Sequence, residues 1–340
     1  MPMQTRDRND SVPSDSHGRV QNRDSGPARP PARGLTLKQR ATIRRAITFT
    51  LFIAPAFLLF TTFIVYPMLS AMKFSFFNWN GLLQGDFVGI ANFRTLFTRY
   101  PYNEQVWTAL GHNAYFFVLT MVIQNGIGLA LAVLLDRGIK GRGFFRNAVF
   151  LPHLLPTVVV GFLWSLMLNP QFGVINQGLE ATGLGWVARP WLGDPSTAFT
   201  TIVFVNAWSW IGFPMVIFLA NLASIPDEYD EAAQVDGATS WQRFRYISLP
   251  LLVPSLTIVT VLTFIGNFNA FDLVYSMAGS EATPGGATDV LGLLFYRIAF
   301  DSADPNAVGV GNALAVLMFF LVFGVSNVWL RMFKRREIAY

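Results

Sequence analysis

The sequence predicts an all-α polytopic membrane protein with six transmembrane helices. Three observations lead there. Of 340 residues, 52% are hydrophobic and only 13% are charged, whereas a soluble domain carries about 25% charged residues. Mean hydropathy is +0.41, and no water-soluble fold hides that much apolar surface. Six segments reach the length of about 20 residues that crosses a bilayer core. Finally, Lys and Arg crowd into alternate connections between these segments.

Taken in order, residues 1–45 are rich in Arg, Asp, Ser, Pro and Gly. They bury too little apolar surface to fold, so a disordered tail is expected. No signal peptide is expected, because the first apolar run starts late and is long. The spans are expected at about Ile47–Leu69, Asn113–Leu135, Ala148–Leu168, Phe199–Ala220, Leu252–Tyr275 and Val310–Leu330. They hold no Lys, Arg or Glu, and one Asp, Asp272. Pro55, Pro156, Pro214 and Pro254 fall within spans or at their edges, where neighbouring helices can re-satisfy the backbone. Residues 46–333 form the membrane domain, and 334–340 a short tail.

Lys38, Arg40, Arg44 and Arg45 precede the first span. Arg137, Lys140, Arg142 and Arg146 lie between the second and third, Arg243 and Arg245 before the fifth, and Arg331, Lys334, Arg335 and Arg336 after the sixth. With six spans all four groups fall on one side, which the positive-inside rule makes cytoplasmic, together with both termini. The net charge of +5 therefore reads as topology control, and no nucleic-acid partner is expected. The outer connections have structure of their own. Phe77–Phe97 mixes aromatics with turn residues and suits the membrane interface. Gly173–Gly185 reads as a short amphipathic helix, and Leu291–Phe300 as a short apolar one.

Cysteine is absent and the three histidines (His17, His112, His153) are scattered. Thiol catalysis is excluded, no metal site is expected, and no catalytic constellation is found.

The connection 224–250 is charged where its neighbours are not. It carries Asp227, Glu228, Asp230, Glu231, Asp236, Arg243 and Arg245. Ser224 with Pro226 is expected to start a helix, acids in its first turn suit the helix dipole, Gly237 ends it, and Ser240 caps a second helix. Small Ala232 and Ala233 allow close approach of a partner, and Phe244 and Tyr246 offer anchors, as in helix-in-groove docking.

The spacing in this connection is E-A-A-x-x-x-G, nine residues, then I-x-L-P, at Glu231, Ala232, Ala233, Gly237, Ile247, Leu249 and Pro250. It resembles the EAA loop of the membrane subunits of bacterial ABC importers. The resemblance runs from about Phe52 to Phe333 and is strongest to carbohydrate permeases of the maltose and glycerol-3-phosphate type. Asn78–Asn80, Phe87–Phe97, Asn206–Met215 (NAWSWIGFPM) and Gly266–Met277 (GNFNAFDLVYSM) look like that family's segments. One departure is that Gly285 and Gly286 follow Pro284, where the family often has T-x-G-G-P.

The resemblance implies a type I permease fold in the bacterial cytoplasmic membrane, with a cytoplasmic EAA coupling helix. It implies a second homologous permease, two ATP-binding subunits that carry ATP and Mg, an extracytoplasmic solute-binding protein and a sugar substrate. Glu231, Ala232, Ala233, Asp236, Gly237, Phe244, Ile247, Leu249 and Pro250 would then couple to the ATPase. The chain has no G-x-x-x-x-G-K-[ST] loop that could cradle phosphates, so no cofactor of its own is expected.

For the substrate, polar groups inside spans are costly and usually face a cavity or a partner. Span four supplies Asn206 and Trp210, and span five Thr263, Asn267, Asn269, Asp272 and Tyr275. Asn269, Asp272 and Tyr275 are spaced to share one helical face. By matching motif, the relatives imply Gly212, Met215, Thr263 and Asn267. The competing view is that these residues glue helices together. No cation lies inside a span, which favours a neutral sugar over a phosphorylated one. A stand-alone six-span channel or secondary carrier is the alternative. It would need its own filter or buried coupling charges, and neither is visible.

Overall fold

The computed structural model describes residues 37–334. Two compact units divide after Thr61. The first holds helix α1 (Leu37–Phe60). Residues 37–45 of the expected tail are already helical, as suits Leu-Lys-Gln-Arg-Ala, which are strong helix formers. The rest of that tail, and residues 335–340, lie outside the described residues.

The second unit begins with a π turn and α2 (Tyr66–Phe74). A two-stranded hairpin follows, β1 (Phe77–Asn80) and β2 (Leu83–Phe87). The two-residue turn is Gly81-Leu82, with glycine at its first position and φ +62°. After α3 (Ala91–Thr98) come α4 (Tyr102–Thr120), a π turn at Met121–Asn125, and α5 (Gly126–Asp136). Asn92, buried at the start of α3, donates to the carbonyls of Ser75 and Phe77 and accepts from Asn306. The segment expected to be an interfacial loop is therefore a hydrogen-bonded hairpin and helix.

Next are α6 (Arg142–Phe150), α7 (Thr157–Met167), α8 (Val174–Ala181), α9 (Ala198–Trp210) and α10 (Gly212–Leu222). The charged connection forms α11 (Asp227–Val235) and α12 (Ser240–Arg243), which runs through a π turn into α13 (Leu249–Leu251). Helices α14 (Val253–Phe268), α15 (Asp272–Ala278), α16 (Leu291–Phe300) and α17 (Ala307–Lys334) complete the chain. The short helices expected in the outer connections are α8 and α16.

Among the described residues, Arg44–Phe74, Tyr102–Asp136 and Ala307–Phe333 are each long and apolar enough to cross a membrane. Three further pairs are long and apolar enough when taken together, with the bend of a broken span or a re-entrant loop. Arg142–Leu154 and Thr157–Met167 meet at 96°, Ala198–Trp210 and Gly212–Leu222 at 41°, and Ser240–Leu251 and Val253–Phe268 at 66°. The third expected span is thus not one straight helix. Pro156 removes a backbone donor and pushes Leu155 to extended geometry (ψ 138°), which ends the first arm. Val118, Val122, Phe162, Leu262, Phe320 and Phe323 are exposed on these helices, as expected for groups that face lipid or another membrane chain.

Three apolar clusters hold the unit together. Phe116, Val160, Phe199, Leu273 and Val274 join α4, α7, α9 and α15. Leu96, Val106, Phe264, Leu294 and Leu314 join α3, α4, α14, α16 and α17. Ala132, Leu135, Met215, Phe218 and Val259 join α5, α10 and α14. Gly128 lets α5 approach α10, since a Cβ there would lie 3.0 Å from Pro214 Cγ.

Candidate functional site

Two regions of the second unit carry the residues singled out by the sequence. The first is the charged connection. Helix α11 has no buried residue and carries Asp227, Glu228 and Asp230 in its first turn, where carboxylates offset the exposed amides. Its N-cap is Pro226, with no side-chain cap. The expected cap, Ser224, instead donates back to the Asn221 carbonyl at 2.7 Å, because it still lies within the terminal turn of α10. At the other end Gly237 takes φ +77°. The Gly237 amide donates to Gln234 O and the Ala238 amide to Ala233 O, which closes the helix as a Schellman turn.

The second helix is capped one residue earlier than expected. Thr239 and Gln242 form a reciprocal capping box, and Ser240 is the first helical residue. Arg243 pairs with Asp230 and so ties the second helix to α11, with Gln234 donating to the same carboxylate oxygen at 2.9 Å. Glu231 and Ala232 are exposed and Ala233 is half-buried, as are Phe244, Ile247, Leu249 and Pro250. Trp241 is 68% and Tyr246 74% exposed. The result is a rigid two-helix knob with an open, small-residue face.

The second region is a cavity of about 360 Å³ between α9, α10 and α14, within the roughly 300–1,000 Å³ of ligand pockets. Asn206, Trp210, Thr263, Asn267, Asn269 and Asp272 line it. So do Gln124, Thr157, Phe213 and Phe271, which sequence reasoning did not single out. The W-x-G-F-P run already contained Phe213, and nothing local marks Gln124 or Thr157. Trp210 packs edge-on against His153, ring centres 4.5 Å apart.

The lining residues divide by their commitments. Asn125 Nδ2 donates to Thr263 Oγ1 at 3.0 Å. Asn267 donates to Thr120 Oγ1, and its own carbonyl accepts from Asn113 at 2.6 Å. Thr263 and Asn267 thus bridge α14 to the α4–α5 helix. Asn206, Asn269 and Asp272 make no side-chain hydrogen bond among the described residues, which leaves their donors and acceptors free.

The shared helical face expected for Asn269, Asp272 and Tyr275 does not form. Helix α14 ends at Phe268, Phe271 takes φ −138° and ψ −59°, and Asp272 opens α15. A carboxylate in the first turn of a helix is favoured by the dipole, which suits this restart. Asn269 and Asp272 still reach the cavity, from the break itself. Tyr275 lies outside it and packs edge-on against Tyr296 at 5.4 Å.

Gly212 and Met215 are also outside the lining. Met215 is fully buried among Ala132, Leu135 and Phe218. A Cβ on Gly212 would lie 2.6 Å from Phe150 Cα and 2.7 Å from Val149 O. Backbone cannot swing aside as a side-chain end can. Gly212→Ala should therefore lower stability by roughly 1–3 kcal/mol. The check is a lower thermal midpoint in detergent with substrate affinity unchanged below the transition; an unshifted midpoint would contradict the close packing.

Comparison with known proteins bears on both regions. Residues 124–338 match the family described as binding-protein-dependent transport system inner membrane component. That stretch covers more than half of the chain. The chain belongs to this family. As an inner membrane component it is similar to the probable starch degradation products transport system permease AmyD of Thermoanaerobacterium thermosulfurigenes. The two are 34% identical over 88% of this chain and 99% of that one. It is also 32% identical to the trehalose/maltose transport system permease MalF of Thermococcus litoralis, over 88% of this chain and 98% of that one. Its fold matches a chain of a bacterial alginate ABC transporter solved with an alginate pentasaccharide-bound periplasmic protein. There the TM-score is 0.75 at 23% identity, covering 87% of this chain and 96% of that one. The inner membrane component thus has the type I importer permease fold expected from its sequence.

Proposed function

We propose that this chain is the membrane-spanning subunit of an ATP-driven sugar importer and forms half of its translocation path. The observation that carries the coupling role is the knob. Helix α11 has no buried residue, is closed at its C-terminal end by Gly237 and is bridged to the next helix by Asp230–Arg243. A rigid exposed helix with small residues at its centre fits a groove on a partner. ATP and Mg then belong to two partner ATP-binding subunits. The distribution of Lys and Arg supports a cytoplasmic knob and cytoplasmic chain ends. A second, homologous permease completes the path, and an extracytoplasmic binding protein delivers the solute.

The cavity supports the substrate class. Sugars need many hydrogen bonds and flat apolar faces for their C–H surfaces. Asn206, Asn269 and Asp272 offer the first, Trp210, Phe213 and Phe271 the second. The lining holds no Lys or Arg, which disfavours an anionic substrate. Maltose-type oligosaccharides, in keeping with the names of several relatives, fit this chemistry.

Reconstitution with its partners tests the proposal. Uptake of a neutral di- or oligosaccharide should require ATP, the ATP-binding subunits and the binding protein together. Uptake by this chain without ATP-binding subunits would establish the stand-alone carrier instead.

A further inference from the structure

The 360 Å³ cavity between α9, α10 and α14 has a further wall, supplied by the helix that runs from α4 into α5. That wall is Gln124. It lies in the π turn Met121–Asn125, well inside the apolar run Tyr102–Asp136. The residue is only 4% exposed, yet it lines the cavity together with Asn206 and Asn267.

The π turn accounts for this placement. Buried positions along α4 step by three and four, as Asn113, Phe116 and Thr120 do. From Thr120 the steps are all four, to Gln124, Gly128 and Ala132. Repeated steps of four walk round an α-helix of 3.6 residues per turn. A π turn, with its i→i+5 bonds, takes up the slip. Gln124 thereby keeps to the inward face, and Asn125 is buried next to it.

The two amides have different commitments. Asn125 Nδ2 donates to Thr263 Oγ1 at 3.0 Å, and its Oδ1 accepts from Gln124 Nε2 at 3.3 Å. Asn125 thus ties this helix to α14. Gln124 is oriented by its one bond to Asn125. Its Oε1 accepts no hydrogen bond among the described residues, and protein does not seal that atom off. The rest of the residue is buried, so the open surface of Oε1 is cavity surface. A primary amide has two N–H donors and two acceptor lone pairs. One N–H and the acceptor oxygen remain for a ligand.

We propose that Gln124 is a specificity-determining contact for the transported solute, and that its amide reads a pair of adjacent hydroxyls on a neutral carbohydrate. The inference rests on the importer reading above. Adjacent ring hydroxyls present a donor and an acceptor side by side. A primary amide presents the complementary acceptor and donor in one plane, and the bond to Asn125 holds that plane in place. A solute that lacks one of the hydroxyls leaves a buried polar group unpaired, which is a strong basis for rejection.

The test uses the importer assembled in proteoliposomes with its ATP-binding subunits and binding protein. Maltose, maltotriose and trehalose are the probes, each with its monodeoxy analogues. Gln124→Met keeps the length and volume of the side chain. It should cut ATP-driven uptake about tenfold, the scale of two lost neutral hydrogen bonds, at an unchanged thermal midpoint. Gln124→Leu gives the same comparison should the Met variant assemble poorly. The ratio of parent to analogue uptake should fall about tenfold from wild type to variant for at least one monodeoxy position. The same binding protein serves both, so its own preference cancels. A packing role for Gln124 lowers uptake of every sugar by one factor and leaves that ratio unchanged. A ratio unchanged at every position, in an importer that still takes up sugar, overturns this inference alone. A wild-type importer that takes up none of the three sugars with ATP overturns the functional reading and the inference with it.

Discussion

Replacing Glu231 by Gln and Gly237 by Ala should cut uptake at least tenfold while leaving the membrane domain folded. Glu231 is exposed and makes no hydrogen bond among the described residues, so its substitution removes nothing from the fold. Gly237 sits at φ +77°, and a Cβ added there would meet nothing within 4 Å. Ala therefore meets no clash, but holding it left-handed costs about 1–2 kcal/mol. That cost is small for the domain and large for one turn. It relaxes the Schellman closure and swings α11 relative to the Asp230–Arg243 bridge. A loss of tenfold in coupling corresponds to about 1.4 kcal/mol, the scale of that strain. Co-purification of the ATP-binding subunits and ATP-driven uptake read the effect. Wild-type values for both would show that the knob is a solvated loop.

The cavity makes a prediction of comparable size that separates residues lying side by side. Asn206→Ala should leave the thermal midpoint in place, Asp272→Asn should lower it only slightly through the lost helix-dipole contact, and both should reduce sugar transport by about three- to tenfold. Each removes a free group worth about 0.5–1.5 kcal/mol in a hydrogen bond. Trp210→Ala should do the same through lost stacking against the sugar face. Asn267→Ala and Thr263→Val should lower the midpoint, because they cut bonds from α14 to Thr120 and Asn125. Interhelical hydrogen bonds in membranes are worth about 0.6–2 kcal/mol. Transport assays on each variant, beside detergent melts, decide the division. If all five variants lose transport with no change in stability, the two classes are one, and the bridging bonds to Thr120 and Asn125 carry no structural weight.

Much of this was readable in the chain. The apolar helices were legible because a bilayer imposes a length and a composition on segments that cross it. Leu291–Phe300 was legible as a helix because its apolar run is bounded on both sides. The knob was legible from a fixed spacing of small, acidic and glycine residues, and Gly237 ended it as expected. Its caps were harder. Thr239 and Ser240 both offer a hydroxyl at the start of the second helix, and the competition was settled by Gln242, three residues after Thr239. The hairpin at Phe77–Phe87 was missed although Gly81 marked its turn, because aromatic strands and interfacial loops share a composition.

Local pattern was enough for the helical membrane class and for the two short helices of the knob. Packing was needed to learn which polar residues of the fourth and fifth spans are free to meet a ligand. A helical-face argument assumes an unbroken helix, and α14 breaks at Asn269. Whether an asparagine is engaged or available depends on a partner more than a hundred residues away, as Thr263 with Asn125 and Asn267 with Thr120 show. Such bonds leave no local trace in the chain, because both partners look alike until the helices that carry them are packed together.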